Sequence, residues 1–318
     1  MALSFGSLFN AGNAEHVGKL EDWGYDSVWT SEHILFHGPT LEGLSVLAFY
    51  AGRTKSIRLG TAVYLLPLRH PTVVAKTVTT IDILSGGRVT LGIGVGGEFP
   101  KEFEATGIPL KERGSRTSEA ITVMKRLWTE SNVTHEGRHF QFSDVTMEPR
   151  PVQQPHPPII VAGRSDAAQR RAGRLGDGYM PYLYDLGRYE KGMETVRAAA
   201  REAGRDLDAE PFTWSIYLFT CVAKTMEDAR RIAAARLQRT YQQPFENLVD
   251  RYTALGTPDD CAERIAQFAR LGATEFILVP LADEEGSQLS PNSGPAQLEK
   301  VQLIAEDIIP KVRKAVGE

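Results

Sequence analysis

The stretch RLGTAVYLLPLRHPTVVAKTVTTIDILSGGRVTLGIGVGG, residues 58–97, carries three readings in succession. Arg58–Tyr64 is a short β-branched and aromatic run with the character of a strand. Val73–Leu84 spaces its apolar residues as a helix does and halts at Ser85-Gly86-Gly87, where glycine can take the left-handed conformation that stops a helix. Val89–Ile93 is again apolar and strand-length. Strand, helix and strand in that order form a crossover unit, and crossovers join parallel strands. The rhythm continues on both sides, with strands expected at Leu3–Leu8, Ser27–Thr30, Ile159–Ala162, Gly178–Pro181, Thr213–Val222 and Glu275–Val279. Helices between them are read from faces such as Ala120, Val123, Met124 and Leu127, and Leu298, Val301, Ala305, Ile308 and Val312. Eight such units in one α/β chain predict a (β/α)8 TIM barrel, with an open doubly wound sheet as the other architecture of this rhythm.

Two stretches interrupt the alternation. From about residue 132 to 158 the chain carries Gly137, Pro149, Pro151, Pro155, Pro157 and Pro158 around the alternating run His139–Phe142, which predicts an extended excursion and not a helix. From about 283 to 295, after the last strand, Gly, Ser, Pro and acids predict an irregular loop. No repeat or linker divides the chain, so residues 1–318 read as a single barrel domain with insertions in its loops.

Composition limits the partners. Forty acids against thirty-six bases give a net charge of −4 with no long run of one sign, which argues against nucleic acid. The N-terminal MALSFGSLFNAGNAE has no basic start, its apolar stretch is broken by Ser and Gly, and the apolar runs elsewhere are strand-length, so neither a signal peptide nor a membrane span is expected. Cys221 and Cys261 have no CxxC spacing and read as buried thiols in a reducing cytoplasm.

In either architecture chemistry gathers past the C-terminal ends of the strands. His33, just beyond the second strand, is the sharpest candidate, because a neutral imidazole near pH 7 takes or gives a proton and the adjacent Glu32 can alter its acidity or orientation. The alternative is a histidine that only supports its neighbours. His33 and His37 are four apart, but there is no HExxH and no metal is expected. Gly92–Gly97 satisfies G-x-G-x-x-G but lies in the wrong unit for a dinucleotide, since three units precede it and Glu98-Phe99-Pro100 follows. Its glycines read as places where something flat lies against bare backbone, with Glu98 as a candidate acid or else a solvated loop carboxylate. Gly163-Arg164-Ser165 opens a helix running Ala167–Leu175, a pattern suited to an anion such as phosphate, although Ser165 can equally be a helix cap. Of the aromatics near strand ends, Phe9, Tyr64, Tyr182, Tyr184 and Trp214 could wall an apolar pocket or simply be core.

Taken together, these runs resemble the bacterial-luciferase-like oxidoreductase superfamily, in its F420-dependent subgroup. The likeness rests on Arg58–Pro71 continuing to Gly97, on Asp26–Trp29 with His33, and on Glu112-Arg113-Gly114, Leu127-Trp128, Pro149–Pro158 and Gly176-Asp177-Gly178. It is clear over about residues 1–185 and diffuse in the C-terminal third. The resemblance implies a barrel holding the deazaflavin coenzyme F420, or FMN in other branches, at its mouth, and a homodimer. It implies hydride transfer to or from a small organic substrate, with an FMN- and oxygen-dependent monooxygenase as the alternative. A non-catalytic flavin-binding barrel is the contrasting class, and a metal-dependent barrel hydrolase would need a ligand set the sequence does not offer. The same resemblance places His33 against the ring, a bulge with a non-prolyl cis peptide at Ala62-Val63 beneath it, Val95 and Gly96 at its edge, Glu98 as an acid, and Gly163, Arg164 and Ser165 at the phosphate. The two excursions are expected to supply a water-excluding lid.

Overall fold

In a computed structural model describing residues 2–9, 11–283 and 294–318, the strands are β1 (Ser4–Leu8), β2 (Ser27–Thr30), β3 (Arg58–Thr61), β4 (Tyr64–Leu65), β5 (Val89–Gly94), β6 (Val133–Glu136), β7 (Gln141–Val145), β8 (Ile159–Ala162), β9 (Gly178–Met180), β10 (Thr213–Val222), β11 (Thr253–Gly256) and β12 (Glu275–Pro280). Parallel pairing runs β1, β2, β3, β5, β8, β9, β10 and β12, and β12 returns to β1, so the sheet closes on itself. This is a (β/α)8 TIM barrel with β3 and β4 sharing one stave, and the open sheet is excluded. The eight strands read from the sequence are its eight staves, each displaced by no more than a residue or two at the ends.

The third stave explains much of what lies above it. Gly60 pairs with Thr90 and Tyr64 with Ile93, so four residue steps on β3–β4 face three on β5, and the surplus residue is a bulge. The Ala62–Val63 peptide inside it is cis. The bulge sits against bare backbone: a methyl group on Gly92 would come within 1.9 Å of the Thr61 carbonyl oxygen, and one on Gly94 within 2.5 Å of Val63 Cγ2. Thr61 Oγ1 donates to the Gly92 carbonyl at 2.7 Å. Two glycines of the G-x-G-x-x-G run are thus occupied by the chain's own third stave.

Inside the barrel, Trp29 fills the middle layer with its ring over Gly6 and Gly60, where any Cβ would fall within 2.5 Å of the indole. At the N-terminal end Arg58 pairs with the buried Glu275 at 2.7 Å, and Ser215 Oγ donates to the other carboxylate oxygen at 3.2 Å. Outside, the helix Arg113–Thr129 buries Ala120, Ile121, Val123, Met124, Leu127 and Trp128, and each large side chain there is worth roughly 1.5–3 kcal/mol of transfer free energy. The helix Pro71–Ser85 ends with Gly86 at φ 72°, the left-handed stop anticipated for it.

Two features fill in what the sequence reading leaves open. The excursion at 132–158 is an antiparallel hairpin, β6–β7, that packs on the outer flank of the helix Arg113–Thr129 through Glu119, whose carboxylate accepts the His139 and Phe140 N–H groups. In addition, β10 runs past the barrel, and its last residues pair with β11, an element that is not among the strands expected from the sequence. The intervening helix Met226–Tyr241 makes an additional crossover unit on top of the seventh stave. Most of the irregular loop expected at 283–295 lies outside the described residues.

The bulge makes a direct prediction. Gly92→Ala is expected to cost at least about 2 kcal/mol, because the obstructing atom is backbone and cannot swing aside. Gly52→Ala, in a helix with nothing within 4 Å, is expected to gain about 0.5–1 kcal/mol. Urea midpoints of the two variants check this, and equal midpoints would contradict the packing described.

Candidate active site

The C-terminal ends of the staves open into a cavity of about 740 Å³. His33, Ala62, Val63, Val95, Gly96, Glu98, Gly163, Arg164 and Ser165 all line it, so nine residues named from four separate strand ends meet at one cavity. That volume is in the range of small-molecule and cofactor sites.

Glu32 does not serve His33. Its carboxylate turns the other way and accepts both Arg69 guanidinium N–H groups, at 2.6 and 2.7 Å, the Leu65 N–H at 2.8 Å and the Gly43 N–H at 3.3 Å. Burial pushes its acidity toward the neutral form and Arg69 opposes this; two-point pairing and two backbone donors hold the carboxylate. Glu32 therefore ties the end of β2 to β4, and fixes the upper end of the bulge. Arg69 also lies 4.4 Å over the Tyr64 ring.

His33 instead faces Glu102, a residue sequence reading passed over. Nδ1 lies 3.2 Å from Glu102 Oε1, and Oε2 accepts the Ile34 N–H at 3.2 Å. The Glu102 side chain is fully buried. The Phe36 ring stacks on the imidazole, 3.9 Å between centroids and 13° apart. His37 packs edge-on against Phe99 rather than joining His33.

Glu98 is exposed at the cavity and accepts a 2.7 Å hydrogen bond from Tyr182 Oη. The Arg164 guanidinium lies 4.6 Å over the same Tyr182 ring. Burial, and then the Glu98 charge, hold the Tyr182 hydroxyl well above the usual phenol range, so it stays a donor. Tyr182 is the one residue of the five singled-out aromatics that lines the cavity. Gly96 and Gly97 take φ 62° and 111°, which carries the chain around the cavity edge where a side chain would meet Phe103 or Arg113.

At the loop after β8, Ser165 Oγ accepts the Ala168 N–H at 3.3 Å and caps the helix Asp166–Leu175. Gly163 has φ 140°, and its carbonyl accepts from Tyr179 Oη while that of Arg164 accepts from Tyr184 Oη, at 3.1 and 2.9 Å. Two buried phenols thus hold the loop's carbonyls and leave the helix N-terminus toward the cavity, an arrangement that favours an anion.

The remaining wall was not legible beforehand. Phe36–Leu41 comes over from the second stave, and Arg236, Arg239, Thr240, Tyr241 and Gln242 come from the end of the additional helix. With Arg113 and Arg164 this puts four arginines around the cavity against Glu32 and Glu98. No residue of the 132–158 excursion lines it, which corrects the expectation of a lid from that segment. Among the described residues no group of three or more His, Cys, Asp or Glu side chains is placed to hold a metal ion.

Comparison with known proteins bears on this site. A family model described as luciferase-like monooxygenase matches residues 11–275. The chain is 38% identical over 301 residues to the F420-dependent glucose-6-phosphate dehydrogenase of Intrasporangium calvum, covering 85% of this chain and 89% of that one. It is 26% identical over 336 residues to the 5,10-methylenetetrahydromethanopterin reductase of Archaeoglobus fulgidus, covering 94% and 95%. Among solved structures, that of a monooxygenase from Streptomyces bottropensis matches with a TM-score of 0.79 at 26% identity, covering 97% of this chain and 99% of that one.

The Glu32–Arg69 pair is testable by pH. Arg69→Met leaves the carboxylate buried and uncompensated, a change expected to cost about 3–5 kcal/mol near pH 7.5. Without Arg69 the folded state holds its Glu32 proton to higher pH than the unfolded chain, whose carboxyl titrates near about 4.3. The unfolded state then binds fewer protons, so stability falls as pH rises and the loss is smaller at pH 5. Adding Glu32→Gln should recover part of it. Urea unfolding at both pH values decides; a loss independent of pH would remove the buried charge as its cause.

Proposed function

The chain belongs to the luciferase-like monooxygenase family, and on that premise we propose that it is an oxidoreductase passing a hydride between coenzyme F420 and a small organic substrate held at the barrel mouth. The observation that carries this is the extensive similarity to F420-dependent glucose-6-phosphate dehydrogenase, at 38% identity.

The cavity residues fit a planar ring with an anionic tail. Ala62 and Val63 of the bulge and the sparse side chains of Gly94–Gly97 leave room for a flat face. Gly163, Arg164 and the capped helix start beyond Ser165 suit the tail, and Arg113, Arg236 and Arg239 add positive charge around the same space. When bound, the deazaflavin supplies a ring carbon that accepts or donates the hydride. The chain's own work is to hold that ring against the substrate, to exclude water, and to move the accompanying proton at His33. Glu98, already accepting from Tyr182, is a proton acceptor or a substrate hydrogen-bonding partner in this reading rather than the principal acid.

The same reading takes residues 1–318 as one domain, places it in the cytoplasm and pairs it as a homodimer. Val73 and Leu84 on the helix Pro71–Ser85 are 64% and 72% exposed, with Phe49 on the neighbouring helix and Val152 beside them also in solvent, an apolar surface suited to a second copy. No helix among the described residues is long and apolar enough to cross a membrane, and Cys221 and Cys261 are buried free thiols.

Anaerobic titration with F420 and with FMN, each oxidised and reduced, tests the proposal. Tight F420 binding, with turnover that needs no oxygen, is expected. Selective FMN binding with peroxide formed on exposure to air would replace this reading with a monooxygenase. His33→Asn is expected to lower kcat by about 10²–10⁴-fold with cofactor affinity retained; unchanged turnover would reduce His33 to scaffold.

A further inference from the structure

Glu102 stands 69 residues from His33 in sequence and touches it in space. Its position is unusual for a glutamate: the side chain has no exposure, and both oxygens are used. Oε2 receives the Ile34 N–H at 3.2 Å and the Leu35 N–H at 3.5 Å, from the segment that carries His33 itself. Backbone N–H groups can only donate, so that oxygen is an acceptor, and Oε1 is left pointing at Nδ1. The Phe36 ring lies flat on the imidazole and leaves it little freedom to turn. The other ionisable groups near the ring are engaged elsewhere: Glu32 with Arg69, His37 against Phe99, and Glu98 with Tyr182. Arg113 lines the same cavity and donates to the Leu110 carbonyl.

We infer that Glu102 is the positioning residue for His33: it accepts from Nδ1–H, fixes that tautomer, and leaves Nε2 as the nitrogen that meets the substrate. The inference deepens the proposed function and rests on the proton role assigned there to His33. When the substrate is oxidised, the C–H electron pair leaves with its hydrogen to the deazaflavin and the proton on the substrate heteroatom passes to Nε2. The imidazolium so formed keeps its Nδ1–H against the Glu102 carboxylate. In reduction the same proton returns from Nε2. A carboxylate behind a histidine is the usual way to hold a tautomer and to stabilise the cation it becomes.

The ring tautomer can be read without any cofactor. Nitrogen-15 spectra of the histidine rings, with His33 assigned by its loss in His33→Asn, should show Nδ1 protonated and Nε2 bare in the neutral wild-type protein. Glu102→Gln retains a carbonyl oxygen for the two backbone donors and turns its NH₂ toward Nδ1, so the tautomer should switch to Nε2–H. With it, kcat should fall by about 10²–10³-fold while cofactor affinity holds, and the double variant His33→Asn/Glu102→Gln should be no slower than His33→Asn alone. A wild-type Nε2–H tautomer overturns the inference, and should Glu102→Gln fail to fold, that measurement decides alone. An unchanged tautomer and rate in Glu102→Gln overturns it as well. Absence of F420 binding by the wild-type protein would instead sink the proposed function, since the tautomer is read in the protein by itself.

Discussion

The surplus residue in the third stave is the constraint from which the mouth of this barrel follows. A bulge has to put its extra backbone somewhere, and here it leans on β5 at Gly92 and Gly94, where no side chain stands in the way. That choice has two consequences. The Thr61 hydroxyl can reach the Gly92 carbonyl and lock the two strands, and Ala62 and Val63 are carried into the cavity wall instead of the barrel interior. The upper end of the bulge would be loose without the Leu65 N–H bound to Glu32, and Glu32 could not stay buried without Arg69. A local shape in the backbone is thus maintained by an ion pair, and the ion pair is maintained by the segment it holds.

Three glutamates around one cavity illustrate how surroundings, and not residue type, assign work. Glu32 is buried with a guanidinium and two backbone donors and has no capacity left for a ligand. Glu102 is equally buried but spends itself on the loop and ring of His33. Glu98 is exposed and linked to Tyr182 alone among the described contacts, so it is the acid of the three that a substrate can approach. Proximity in sequence pointed the wrong way, for Glu32 is covalently next to His33 and yet faces elsewhere, as alternate side chains at the end of a strand do.

The parts of this molecule that were legible in the sequence are those governed by local periodicity. Strand and helix alternate in 58–97 with an unambiguous stop at Gly86, and the same patterns located all eight staves. Strand ends then indicate where chemistry collects, and residues as distant as His33 and Arg164 do line one cavity. What periodicity does not contain is direction. The proline-rich 132–158 segment was recognised as non-helical, but nothing in its composition says whether it covers the mouth or the flank; its position after a helix decides this, since the chain has by then left the C-terminal end of the stave. The four-residue strand Thr253–Gly256 is too short to register between helical runs. Glu102 was within reach, four residues beyond Glu98 at the start of a helix that follows a glycine-rich strand end, but a pairing across 69 residues carries no local mark.

The cavity therefore has two origins. Its floor comes from β2, the β3–β4 bulge and the end of β5, with the loop after β8 beside it. Its upper wall comes from residues 236–242, at the end of a helix built on the overrun of β10. A floor set by backbone contacts tolerates little substitution, because Gly92 and Gly94 have no room for a side chain. In the upper wall, Tyr241 packs against Tyr182, Phe219 and Phe245, while Arg236 and Arg239 bring charge to the same helix end. The barrel's own packing thus fixes the floor of the cavity more tightly than the helix end above it.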